Sequence, residues 1–141
     1  YVQADMNEKS LYDLEGLNKI ILSMPSVDTG ICAMETKKFN DALAKLDNVV
    51  CLAVTKDLPF ALKRFCGAEG IENLKAVSDF RYGDFATEYN VEMVNSPLKK
   101  LLARAVFVLD KQNRIHYVEL VEDITYEPNY DAALAALAKL N

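Results

Sequence analysis

Six consecutive apolar residues, Val49-Val50-Cys51-Leu52-Ala53-Val54, constrain this chain more than any other stretch. A strand with one wet face alternates polar and apolar side chains. This run does not, so it predicts a strand covered on both faces, in the centre of a parallel sheet. Such a strand needs helices to cover it, and the flanking sequence supplies them. Upstream, Lys19-Ile20-Ile21-Leu22-Ser23-Met24 is a second short run with β-branched content, ended by Pro25. Between the two runs, Gly30 to Leu46 carry apolar residues at Ile31, Met34, Phe39, Leu43 and Leu46. That spacing predicts an amphipathic helix, with Asp28 or Thr29 as N-cap.

The remainder continues the alternation. Asp57-Leu58-Pro59 opens a short helix through Phe65, with Pro in the first turn, where its missing N–H costs least. Gly67 to Gly70 break it. Leu74 to Val77 read as a strand, and Phe80 to Tyr89 as a short helix or turn-rich piece. Arg104 to Asp110 and Ile115 to Val121 form a hairpin across the polar loop Lys111-Gln112-Asn113-Arg114. Asn129 to Leu140 close the chain as a helix. The opening residues alternate only weakly, and Leu11 to Gly16 read as a turn-rich connector. The order β–α–β–α–β–(α)–β–β–α predicts a thioredoxin-like α/β fold, a mixed central sheet flanked by helices on both faces. No repeat or linker interrupts it, so residues 1–141 read as one domain.

Composition excludes several functions. The chain has 141 residues, 51% of them hydrophobic and 26% charged, enough to bury a core without staples. The net charge of −5 argues against nucleic acid, which needs a basic stripe. No apolar run approaches the roughly 18 residues needed to cross a bilayer, so no membrane partner is expected. Three Cys are too few for a disulfide-stapled secreted scaffold. The expected location is cytoplasmic, with the periplasm still open. The chain starts at Tyr1, not Met, so a leader cannot be judged.

Chemistry concentrates on cysteine. Cys32 falls in the first turn of the predicted helix, where unpaired N–H groups and the helix dipole favour a thiolate. Thr29, three residues earlier, can bring its hydroxyl near the sulfur. A buried structural Cys is an equal alternative at this point. Cys66 follows Arg64-Phe65, at the end of the second helix. It lies 34 residues from Cys32, so the two are not a C-x-x-C pair. Cys51, within the apolar strand, reads as buried and inert. The Cys spacings and the lone His116 lack the close pairs of a zinc site, so neither metal nor other cofactor is expected. Arg104, at the head of an apolar strand, needs a partner: a carboxylate in a plain salt bridge, or a thiolate. Glu35, Arg64, Lys37 and Lys38 read as solvated helix faces.

Two segments together resemble a known family. Pro25-Ser26-Val27-Asp28-Thr29-Gly30-Ile31-Cys32 is similar to the peroxidatic loop of bacterial thiol peroxidases, which are atypical two-cysteine peroxiredoxins. Asp57-Leu58-Pro59-Phe60-Ala61 and Arg64-Phe65-Cys66-Gly67-Ala68-Glu69-Gly70 resemble the same family's resolving segment. Pro97-Leu98-Lys99, Ala103-Arg104-Ala105-Val106 and Glu127 to Leu134 match as well, and the resemblance runs from about Leu11 to the end. It implies a peroxidatic Cys32, a resolving Cys66, a peroxide site completed by Thr29 and Arg104, and Pro25 shielding the sulfur. It implies hydrogen peroxide and alkyl or lipid hydroperoxides as substrates, thioredoxin as reductant and a homodimer. An alkyl chain would find an apolar surface around Phe60, Phe65 and Met93. Members also carry a β-hairpin ahead of the position of Tyr1. Two positions depart from the pattern: Lys100 and Asn90 stand where members usually have Gly. On the residues alone, two other readings stay open: a thiol–disulfide oxidoreductase of this fold and a non-catalytic binding module.

Overall fold

The computed structural model describes residues 1–140. Its strands are β1 (Val2–Gln3), β2 (Asn18–Ser23), β3 (Val49–Thr55), β4 (Lys75–Ser78), β5 (Ala105–Leu109) and β6 (Ile115–Leu120). Its helices are α1 (Gly30–Leu43), α2 (Pro59–Glu69), α3 (Asp84–Glu88) and α4 (Tyr130–Ala138), and a 3-10 turn spans Leu11–Leu14. The strands form one sheet in the order β1-β4-β3-β2-β5-β6. β2, β3 and β4 run parallel, while β1, β5 and β6 pair antiparallel, so the sheet is mixed as predicted. This is a thioredoxin-like fold.

Strand periodicity explains why β3 reads as apolar throughout. Cys51 and Ala53 face one core, with Ile20 and Leu22 of β2 and Val106 and Val108 of β5. That core is covered by Phe39 and Leu43 of α1, Leu62 and Phe65 of α2, and Ala133 and Leu137 of α4. Leu52 and Val54 face a second core, with Ile21, Val77 and Phe107, under Ala86 of α3 and Leu14. Alternate residues thus serve opposite cores, so no position is left for a polar side chain.

Most element ends fall within two residues of expectation, and three departures go further. α2 does not stop at Phe65. It continues through Cys66 and Gly67 to Glu69 and ends at Gly70, whose φ of +66° forms a left-handed cap with its N–H on the Cys66 carbonyl. Gly67 costs helix propensity but is tolerated, and Gly70 supplies the stop. α1 ends at Leu43 rather than Leu46. The weakly alternating opening holds a two-residue edge strand against β4.

The two departures from the family pattern fall on left-handed backbone: φ is +54° at Asn90 and +79° at Lys100. Asn adopts this region at lower cost than Lys does. The Lys100 N–H bonds the Met93 carbonyl at 2.8 Å, which holds the turn in place. Lys100→Gly should therefore raise stability by about 1 kcal/mol, with the gain in backbone freedom of the unfolded chain subtracting part of the relief. Thermal and urea unfolding check this, and an unchanged or lower midpoint would contradict it.

Candidate active site

The loop from β2 to α1 is pinned from below. The Asp57 carboxylate, at the entry to α2, accepts from the Val27 N–H at 2.9 Å, the Ser26 hydroxyl at 2.8 Å and the Thr55 hydroxyl at 2.9 Å. Pro25 is buried in this loop. Thr29 then caps α1 from extended backbone: its hydroxyl accepts from the Cys32 N–H at 3.4 Å and donates to the Ser26 carbonyl at 3.2 Å. Thr29 is thus the N-cap of the two residues the sequence offered. Its hydroxyl is bonded to the Cys32 backbone. Cys32 sits in the first turn and is fully buried, with 0% of its surface exposed.

Arg104 reaches this sulfur from the start of β5. It is itself 1% exposed. Its Nε and Nη2 donate to the Ile124 carbonyl at 3.1 and 2.8 Å. Its Nη1 donates to Cys32 Sγ at 3.3 Å and to Glu35 Oε2 at 2.7 Å. The two partners that the sequence offered for Arg104, a carboxylate and a sulfur, are therefore both present. Of the five guanidinium hydrogens, these bonds engage four and leave one, on Nη2.

Glu35 corrects an expectation. It reads from the sequence as part of a solvated face, yet it is 0% exposed. Its Oε1 is buried and has no hydrogen-bond partner among the described residues. Burial pushes its carboxyl up to about 7 against the opposing pull of Arg104, and the negative charges of Glu119 and Glu127 add to the rise. Burial works to lower Arg104, but Cys32 and Glu35 outweigh it and hold the guanidinium above its ordinary value. The cation beside the sulfur is therefore permanent.

Cys66 lies half-buried in the last turn of α2, and burial pushes its thiol up against a backbone hydrogen bond from Ala76. Cys51, on β3, is 1% exposed and burial raises its thiol much further. All three cysteines are free thiols. Arg64 is exposed, as expected, and pairs with Asp28 at 3.0 Å, tying α2 to the Cys32 loop. His116 lies away from the sulfurs and bonds Asp110 at 2.8 Å. Among the described residues no group of three or more His, Cys, Asp or Glu side chains is placed to hold a metal, and no helix is long and apolar enough to cross a membrane.

The surface beside α2 differs in part from expectation. Phe60 is 70% exposed, but Phe65 packs into the core and offers no surface. A cavity of about 280 Å³ lies on the α3 face, lined by Tyr1, Tyr12, Phe85 and Tyr89 among others, and none of the cysteines lines it.

Sequence reasoning missed Glu35, Asp57 and the Ile124 carbonyl. Glu35 left a trace: with Cys32, Thr36, Phe39 and Leu43 it shares the i, i+3, i+4 face that points to the core, where an acidic residue needs a cation. A backbone carbonyl on a loop leaves none.

Known proteins resemble this chain along most of its length. The Redoxin family model matches residues 1–134. The chain is 49% identical over 136 residues to a thiol peroxidase of Corynebacterium glutamicum, covering 96% of this chain and 82% of that protein. It is 50% identical over 136 residues to a thiol peroxidase of Streptococcus pneumoniae, with the same coverage. The crystal structure of a peroxiredoxin-like protein from Aquifex aeolicus superposes with a TM-score of 0.93 at 42% identity, covering 99% of this chain and 81% of that one.

Proposed function

The chain belongs to the Redoxin family and, within it, to the bacterial thiol peroxidases, and on that premise we propose that Cys32 is its peroxidatic cysteine and Cys66 its resolving one. The chain is a peroxidase enzyme. The observation that carries the assignment is the contact between Arg104 Nη1 and Cys32 Sγ, 3.3 Å, at a helix N-terminus.

The reaction needs a thiolate. Arg104 and the first-turn N–H groups of α1 surround Cys32 Sγ with positive potential. The sulfur attacks one peroxide oxygen and the O–O bond breaks. Cys32 becomes a sulfenic acid and the other oxygen leaves as hydroxide or alkoxide, which takes a proton to give water or an alcohol. The leaving oxygen gains charge as the bond stretches, and the remaining Nη2 hydrogen of Arg104 is the donor available to it. The Thr29 hydroxyl, already accepting from the Cys32 N–H, orients the peroxide, and buried Pro25 keeps water off the sulfur. Cys66 then attacks the sulfenic sulfur and expels water, forming a disulfide. A dithiol protein of the thioredoxin class reduces it by exchange. Release of the last turn of α2, next to Gly70, frees Cys66 for this step. Its raised thiol keeps it from competing for peroxide before then.

Hydrogen peroxide and alkyl or lipid hydroperoxides are the proposed substrates. Exposed Leu58 and Phe60, beside the Asp57 that anchors the Cys32 loop, support an apolar tail. Both cores back onto one sheet, which supports reading residues 1–141 as one domain. A homodimer and a reducing, cytoplasmic setting complete the proposal. The test is a stoichiometric peroxide pulse followed by cycling. Cys66→Ser should complete one turnover per Cys32 and then stop under thioredoxin-driven turnover, while Cys51→Ser should cycle within about twofold of the parent. Sustained cycling by Cys66→Ser would remove Cys66 from its role.

A further inference from the structure

We propose that Glu35 is a pH-responsive positioning residue for the peroxidatic step, its buried carboxyl competing with the Cys32 sulfur for one guanidinium nitrogen of Arg104. This deepens the reading of Cys32 above and rests on it. The geometry carries the inference. Arg104 Nη1 has two hydrogens; one goes to Cys32 Sγ at 3.3 Å and the other to Glu35 Oε2 at 2.7 Å. Both acceptors are fully buried, and Oε1 of Glu35 has no hydrogen-bond partner among the described residues. Two anions against one cation in a dry site are costly, so the site favours one negative charge shared between sulfur and carboxylate.

The groups around Glu35 show which carboxyl yields. Cys32 lies on its own helix, Arg104 just before β5, Cys51 on β3, Glu119 on β6, Glu127 in the loop before α4 and Tyr130 on α4. Glu127 accepts from Lys38 and Tyr130, both at 2.8 Å, which hold its carboxyl below the ordinary range. Glu119 Oε1 accepts from the Asn129 N–H at 2.9 Å. Cys51 is a buried neutral thiol, and Tyr130 is raised by burial, so it too is neutral. Glu35 alone among these carboxyls combines full burial with a bare oxygen, and Oε1 is where a proton would sit. Its rise to about 7 places the change at neutral pH. When Glu35 is neutral, the guanidinium charge is left to the sulfur. When it ionises, Nη1 is drawn to the carboxylate and the transition state loses part of its counter-charge.

The experiment is stopped-flow reaction of the reduced, full-length chain with hydrogen peroxide, for the parent and Glu35→Gln, from pH 5.5 to 8.5. The ratio of the two second-order rate constants at each pH isolates what Glu35 contributes, directly or through its coupling to the sulfur. That ratio, parent over Glu35→Gln, should fall roughly tenfold across the range. A flat ratio would overturn the proposal. Glu35→Ala, which also removes the acceptor, should be slower than Glu35→Gln at every pH; equal rates would overturn the positioning role. A readout that spares Glu35 comes from carbon-13 NMR of its carboxyl: the midpoint should fall in Cys32→Ser, where Arg104 is no longer shared with a thiolate, and an unmoved midpoint would count against competition. The two readings fail separately. Peroxide turnover retained by Cys32→Ser removes the peroxidatic assignment, whereas a flat ratio with Cys32 still essential removes only Glu35.

Discussion

Cys32→Ser is expected to consume no hydroperoxide above background in a thiol-coupled assay, a loss of roughly a thousandfold or more. The substitution keeps the α1 cap, because Thr29 accepts from the backbone N–H of residue 32 and not from its side chain. It keeps a polar atom within reach of Arg104 Nη1, so the unfolding midpoint should change little. A serine hydroxyl does not ionise near neutral pH and cannot serve as the anionic nucleophile. Activity would thus vanish while the fold persists. A second thiol cannot substitute: Cys51 is buried on β3 with its thiol strongly raised, and Cys66 is half-buried in α2. Ordinary steady-state turnover in this variant would remove the assignment of the site.

The second large effect is at Arg104, and it divides into stability and rate. Arg104→Met leaves Glu35 buried without its cation, an arrangement that costs about 3–5 kcal/mol when one partner of a buried pair is removed. The cost depends on pH. Glu35 has a folded-state value raised above its unfolded one, so its contribution to stability is fully present below the unfolded value, near 4.5, and is lost as pH rises through about 7. Without Arg104 the folded value rises further, so the destabilisation should be larger at pH 8 than at pH 5. Adding Glu35→Gln removes the stranded charge and should recover much of the stability lost at pH 8. The rate should not recover: loss of the donor at the sulfur costs on the order of a hundredfold in the second-order constant with peroxide, in the double variant as in the single. Urea unfolding at both pH values and stopped-flow kinetics separate the two. Equal destabilisation at pH 5 and pH 8, or recovery of rate in the double variant, would contradict this account.

These effects rest on features that differ in how visible they are in the sequence. The central strand was legible because neither parity of Val49 to Val54 carries a polar side chain, and that happens only where both faces are covered. Thr29 and Cys32 were legible because capping is local: an N-cap hydroxyl and the residue three further on are placed by the helix alone. Arg104 was half legible. Its need for a partner follows from the apolar strand it heads, but the partner is set by how β5 lies under α1, which only the tertiary structure decides. Glu35 was misread because a charged residue on a helix is solvated by default, and the buried cation that reverses that default comes from 69 residues away. Cys66 was read at the end of a helix that ran through Phe65, because Gly67 to Gly70 were read as its break. The stop is Gly70, where the backbone turns left-handed. The positions of Asn90 and Lys100 stood out by comparison with the family pattern, and the positive φ at each gives the physical reason that glycine suits them.

Non-reducing peptide mapping of the reduced chain after one equivalent of hydrogen peroxide tests the central claim most directly. The peptides holding Cys32 and Cys66 should be recovered joined, with Cys51 alkylated as a free thiol. Recovery of Cys32 joined to Cys51, or of Cys66 still free while Cys32 has been oxidised and peroxide consumed, would contradict the account.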